Sequence, residues 1–166
     1  MLSLTNQINR LLILLVALQF TCSGVRAQTS YDLAPYSDLE ARISQHGEYN
    51  YAVSVQNGLD HTAEITQIGH HNSLQSHQSG QAQLVITQQE GMDNTIDIVQ
   101  SGYGNQAYIN QWGNSNLVDI HQSGDFGIAE ITQIGTGNQV MVEQLNSGQF
   151  ISIHQIGSHI STEIWQ

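Results

Sequence analysis

From residue 45 to the end, inward and outward positions alternate with a period of two, and the alternation resets every eleven residues. Glutamine marks the period at Gln45, Gln56, Gln67, Gln78, Gln89, Gln100, Gln111, Gln122, Gln133, Gln144, Gln155 and Gln166. With 22 glutamines in 166 residues an arbitrary position is filled about one time in eight, so chance does not account for this series. Seven residues after each glutamine stands a small or apolar residue: Ala52, Ala63, Leu74, Val85, Ile96, Ala107, Val118, Ala129, Val140, Ile151 and finally Thr162. Nine after it come Ile65, Ile98, Ile109, Ile120, Ile131, Val142, Ile153 and Ile164, with Ser54, Ser76 and Thr87 in the remaining units. Asparagine falls five after it at Asn50, Asn72, Asn94, Asn105, Asn116 and Asn138. These offsets share one parity, and successive strand side chains point to opposite faces, so all of them point the same way.

Each unit therefore predicts a strand Asn-x-Ala-x-Ile-x-Gln followed by a turn x-Gly-x-x. The turn glycines are Gly47, Gly58, Gly69, Gly80, Gly91, Gly102, Gly113, Gly124, Gly135 and Gly157, and only Asn146 breaks their series. Eleven residues also make three helical turns, but the β-branched residues, the glycine in nearly every unit and the alternating polarity disfavour helix. One strand and turn cannot bury its own inner face, whereas repeated units stacked on one another can. Two units per coil, with coils about 4.8 Å apart, place residues separated by 22 directly above one another. The fold expected is an all-β solenoid of amyloid type. Its glutamines form two columns, Gln67, Gln89, Gln111, Gln133, Gln155 and Gln78, Gln100, Gln122, Gln144, Gln166, in which each amide donates to one neighbour and accepts from the other. Such a ladder explains why amides are tolerated on an inward face. The eleven intervals from Gln45 to Gln166 correspond to five and a half coils, a slab about 26 Å tall. The last unit keeps Ile164 inside and ends on Gln166, so the final edge is uncapped, and an uncapped edge is a template for another strand.

The N-terminal stretch has a different character. Met1 to Arg10 carries one cation, Leu11 to Phe20 is almost wholly apolar, and Val25-Arg26-Ala27 supplies small residues at the first and third positions. This predicts a secretory leader, residues 1–27, cleaved after Ala27. The apolar run is too short to cross a bilayer core of about 30 Å, and Gln19-Phe20-Thr21 ahead of Cys22 makes a poor lipoprotein signal. Residues 28–44 then form an N-terminal segment ahead of the repeat solenoid at 45–166. Loss of the leader removes Cys22, Arg10 and Arg26, leaving Arg42 as the sole cation against fourteen carboxylates, with no lysine anywhere. A chain so acidic repels nucleic acid, and the charge also favours solubility.

No sign of catalysis emerges, and an enzyme is excluded as a reading. The eight histidines suggest a metal, yet no two are separated by two or by 22 residues, and His77 and His121 stand two coils apart, about 9.6 Å. They read as outward polar decoration, with no metal and no cofactor. Asp97 and Asp119, 22 apart, stack on an outward face. A flat sheet gives them no concave site, so their repulsion reads as a gatekeeper against premature stacking. Tyr108, Trp112 and Trp165 read as surface decoration or contacts between subunits. A regular outward threonine array, which an ice-binding solenoid needs, is absent from the series Glu64, Gln75, Ile86, Asp97, Tyr108.

The unit Gln100-Ser-Gly102-Tyr-Gly-Asn105-Gln-Ala107-Tyr-Ile-Asn-Gln111 resembles the curlin repeat of bacterial curli fibres. Within that family the chain is most similar to the minor, nucleating subunit, on Tyr31-Asp32-Leu33-Ala34, the gapless run of units from Gln67 to Gln166, and Leu84 to Asn116 with Gln89-Glu90-Gly91. The resemblance implies an extracellular fibre on a Gram-negative cell, export through the periplasm and a dedicated outer-membrane pore, and conversion of the major curlin subunit to amyloid. Its partners would be the major curlin subunit and other copies of itself, with no nucleic acid and no small-molecule substrate. The family's nucleator carries Lys and Arg in its last unit, whereas Ile156 to Gln166 has neither, so attachment to the cell needs another basis. The alternatives are a major fibre-forming curlin subunit and a soluble β-solenoid adhesin.

Overall fold

The structure is a computed structural model that describes residues 38–166, together with the backbone of Leu12–Val16 and Val25–Ala27. Most of the expected leader, 1–27, and Tyr31 to Ala34 lie outside the described residues. Fourteen strands follow in chain order: β1 (Leu12–Val16), β2 (Val25–Ala27), β3 (Glu40–Glu48), β4 (Tyr51–Leu59), β5 (Thr62–His70), β6 (Ser73–Gln81), β7 (Leu84–Met92), β8 (Thr95–Tyr103), β9 (Gln106–Asn114), β10 (Leu117–Gln122), β11 (Ile128–Thr136), β12 (Gln139–Gln144), β13 (Phe150–Ser158) and β14 (Ser161–Trp165). From β3 onward, even-numbered strands form one parallel sheet and odd-numbered strands the other, so the chain winds between two facing sheets. This is the parallel β-solenoid that the repeat predicts.

From β3 onward register is strictly 22 residues: Gln67 pairs with Gln89, Gln89 with Gln111 and Gln111 with Gln133. A slip of one residue would turn every inward side chain to solvent, so the buried stripe holds the register. The twelve strands β3 to β14, taken two per coil, make six coils. The count from Gln45 fell half a coil short because β3 begins at Glu40 and already buries Ala41 and Ile43. Between the sheets lies a narrow apolar strip of Ala, Val, Leu and Ile, from Ala41 to Ile153, with Ile164 packed against its end. Fully burying one such aliphatic side chain contributes about 1.5–3 kcal/mol. Parallel sheets are usually covered on both faces. Here only the inner faces are, which is why each strand alternates, as in the pattern of β5 from Thr62 to His70.

The turns differ from the expectation in one respect. Glycine is not the apex: the nine-residue strands run through it, and the reversal comes two residues later at a left-handed residue. Side chains occupy that position at Tyr49, Asp60, His71, Ala82, Asp93, Ser115, Phe126 and His159, with φ between 54° and 59°. From His71 onward the conformation is held because each apex N–H donates to a carbonyl one coil below, as from His71 to Glu48 at 3.1 Å and from Ala82 to Leu59 at 2.8 Å. Glycine two residues earlier is required by close approach. A Cβ on Gly113, at φ 122°, would run into the carbonyl of Gly135 in the next coil. Gly69, Gly80, Gly91, Gly102, Gly135 and Gly157 share the positive φ, but Gly124 is not among them. Its neighbour in the next coil is Asn146, the residue that broke the glycine series, and β10 and β12 both stop at their glutamines.

Candidate assembly site

Both glutamine columns form. In the odd-numbered sheet Nε2 of Gln45 donates to Oε1 of Gln67 at 2.6 Å, Gln67 to Gln89 at 2.8 Å, Gln89 to Gln111 at 2.9 Å, Gln111 to Gln133 at 2.9 Å and Gln133 to Gln155 at 2.8 Å. In the even-numbered sheet Gln56 donates to Gln78 at 2.9 Å, Gln78 to Gln100 at 3.3 Å, Gln100 to Gln122 and Gln122 to Gln144 at 2.8 Å each, and Gln144 to Gln166 at 3.4 Å. The second N–H of each amide crosses to the other sheet, as from Gln67 to the Tyr51 carbonyl at 2.9 Å and from Gln111 to the Thr95 carbonyl at 3.1 Å. Every internal glutamine thus ties two coils and two sheets, and a buried amide so satisfied costs little. Both columns have one polarity: donors face the C-terminal end and acceptors the N-terminal end.

Asparagine works at the corners. Asn50, Asn72, Asn94, Asn116 and Asn138 form one column. There Oδ1 accepts the backbone N–H of the asparagine one coil on, at 3.1–3.2 Å, while Nδ2 donates to the carbonyl of a glycine, as from Asn94 to Gly113 at 2.8 Å. Asn105 belongs to the opposite corner, where its neighbours are Gln83 and Gly127. It caps in the same way, with Oδ1 accepting the Gly127 N–H at 2.8 Å, but it has no asparagine to stack on.

Not all histidines are outward. His61 is fully buried in the corner column of Asn105 and Gln83. Its offset of five after Gln56 is the asparagine slot, and that was the signal in the sequence. The outward reading holds for His77 and His121, which stand in register with Val99 between them. Among the described residues five buried polar atoms lack a protein partner: the hydroxyls of Ser54, Ser76 and Thr87 and Oε1 of Gln56 and Gln83, all in the N-terminal half of the solenoid. Periodicity alone had placed those hydroxyls inward without showing that nothing inside meets them.

Asp97 and Asp119 pair in register. Burial, then the Asp97 charge, pushes the Asp119 carboxyl above the usual carboxylate range, with His121 pulling the other way. The surface there is not wholly flat: Asp119, His121, Glu143, Val99, Met141 and Val142 line an open depression of about 350 Å³, where His121 stands 3.8 Å from Glu143. Gatekeeping by Asp97 and Asp119 stands as a proposal. Of the aromatics, Trp165 is exposed at the C-terminal edge and Tyr108 hydrogen-bonds Gln106 at 2.9 Å.

The ends complete the site. Among the described residues no strand covers β13 or β14. At the other end the backbones of β1 and β2 lie antiparallel on β4 and β3, so both N-terminal edges accept a further strand.

Two parallel sheets wound from repeated eleven-residue units, laddered by stacked amides and bounded by strand edges, define an amyloid-type structural β-solenoid. The curlin associated repeat matches residues 37–69 and 91–124, and with the fold these matches support membership of the curlin family. No curated protein and no solved structure matches the chain. Curlin proteins are structural, self-assembling and extracellular, and the repeats and solenoid together point to a curli-type subunit.

Proposed function

We propose that this chain is a minor curli subunit that nucleates polymerisation of the major curlin subunit at the outer cell surface, after removal of a 1–27 leader and passage through an outer-membrane pore. The observation that carries the reading is the fit between the two ends. Among the described residues Gln45 and Gln56 stand first in their columns, with acceptors that no earlier glutamine fills, and Gln155 and Gln166 stand last. Gln155 turns its spare N–H to Thr162 Oγ1 at 3.0 Å, a contact that an incoming Oε1 can replace. Because the solenoid holds six whole coils, a second curlin solenoid set on the C-terminal end meets it sheet on like sheet, with Ala41 and Ile43 continuing the Ile151 and Ile153 rows.

Nucleation is slow because the first coil fixes many residues before any stacking contact offsets that entropy. A folded edge removes most of that barrier. The nucleating role itself rests on the resemblance of Leu84 to Asn116 and on the exposed end formed by β12, β13 and β14. The test adds this protein at a few per cent to a major curlin and times the lag. A shortened lag is expected, weakened by deletion of Leu145 to Gln166. Identical lag times with and without the protein would mean that it is a major, fibre-building subunit instead.

A further inference from the structure

His61 does the work of an asparagine with a group that titrates. Its Nε2 lies 3.2 Å from the Asn57 carbonyl, which can only accept, so Nε2 carries the proton. Its Nδ1 lies 3.3 Å from the Gln83 N–H, which can only donate, so Nδ1 must offer a lone pair. The neutral ring thus reproduces both asparagine roles: Asn105 likewise donates four residues back, to the Ser101 carbonyl at 2.9 Å, and accepts the N–H one coil on, from Gly127 at 2.8 Å. A second proton would put an N–H against the Gln83 N–H and orphan a buried donor.

The charged groups around this corner are all acidic. Asp60 precedes the ring, Asp38 lies one coil below Asp60, and Glu40 donates its backbone N–H to the His61 carbonyl at 2.8 Å. Arg42 is held by Glu40 and Glu64 on the outer face. Neutral Gln83 is above, and Asn57 and Gly58 complete the coil. Burial outweighs the pull of Asn57 and Asp60 and holds the His61 pKa below its ordinary value. The unfolded chain therefore binds the proton more readily, and stability of this coil is lost as pH falls from about 6.5 toward the folded pKa. The surroundings offer little reserve, since the partnerless hydroxyls of Ser54, Ser76 and Thr87 sit in the same coils and their neighbours.

We propose that His61 is a pH-sensitive joint that makes the N-terminal coils, and with them the N-terminal growing edge, acid-labile while the C-terminal coils stay intact. The inference concerns the coil itself, so a failure to form fibres would sink the proposed function without removing this measurement. Amide hydrogen exchange of the full mature chain, soluble or fibrous and corrected for intrinsic rates, is compared at pH 7.5 and 5.0. The Gln83 amide should lose at least tenfold protection on acidification. The Asn116 and Asn138 amides, held by asparagine Oδ1 at 3.1 Å, serve as internal controls and should change less than twofold. His61→Asn, which restores the residue found at 105, should abolish the response. Equal responses in wild type and variant, no response in wild type, or imidazole nitrogen shifts showing Nδ1 protonated at pH 7.5 would each overturn the proposal.

Discussion

Replacing Gln111 by alanine tests the ladder at its centre. The side chain is fully buried and makes three hydrogen bonds: from Gln89 at 2.9 Å, to Gln133 at 2.9 Å and to the Thr95 carbonyl at 3.1 Å. At about 1 kcal/mol net for each, their loss costs about 3 kcal/mol, and the buried Gln133 oxygen left unpaired adds about 1–2 kcal/mol. Gln166, at the end of the other column, has a single 3.4 Å ladder bond and an exposed side chain, so its truncation should cost no more than about 1 kcal/mol. In dilute soluble protein, denaturant unfolding or exchange of the flanking amides should separate the two variants by several kcal/mol. In fibres the gap should close, because end-to-end stacking gives Gln166 a donor role to the next copy's Gln56. Equal effects in the soluble chain would refute the ladder as the source of stability. A gap that persists in fibres would refute head-to-tail stacking.

Gly113→Ala should disrupt the β9–β11 pairing severely, since the new Cβ meets the Gly135 carbonyl, whereas Gly148→Ala, with open space around it, should cost about 1 kcal/mol for its left-handed backbone. Fibre yield and thermal stability of the two variants check this, and similar values would contradict the close approach. Asp119→Asn should shorten the assembly lag at neutral pH. A carboxyl whose folded pKa is raised penalises the folded state when ionised, and the penalty lifts as pH falls through that pKa toward about 4. Wild-type assembly should therefore quicken in that acid range and the variant less so. An unchanged lag in the variant at pH 7 would remove Asp119 from the gating role.

The repeat alone determined much of this protein. An eleven-residue period with one inward parity fixes strands, register and the two-strand coil, because a one-residue slip would turn the buried row of Ile65, Ile98, Ile109, Ile120 and Ile131 to solvent. It also identifies the glutamine columns, since residues 22 apart must stack once two units close a coil. What the period could not decide was geometry at the corners. Whether Gly113 or Ser115 forms the apex depends on where the next coil's carbonyls lie, and that is a contact across 22 residues rather than a local preference. The separation of Asn105 from the other asparagines likewise follows from which corner each unit reaches. His61 is the sharpest case. Its offset placed it in the asparagine slot, but only the packed corner, with a carbonyl at one ring nitrogen and an N–H at the other, makes it a buried neutral base. Protonation chemistry is set by what surrounds a side chain in space, and the sequence orders those surroundings only along the chain.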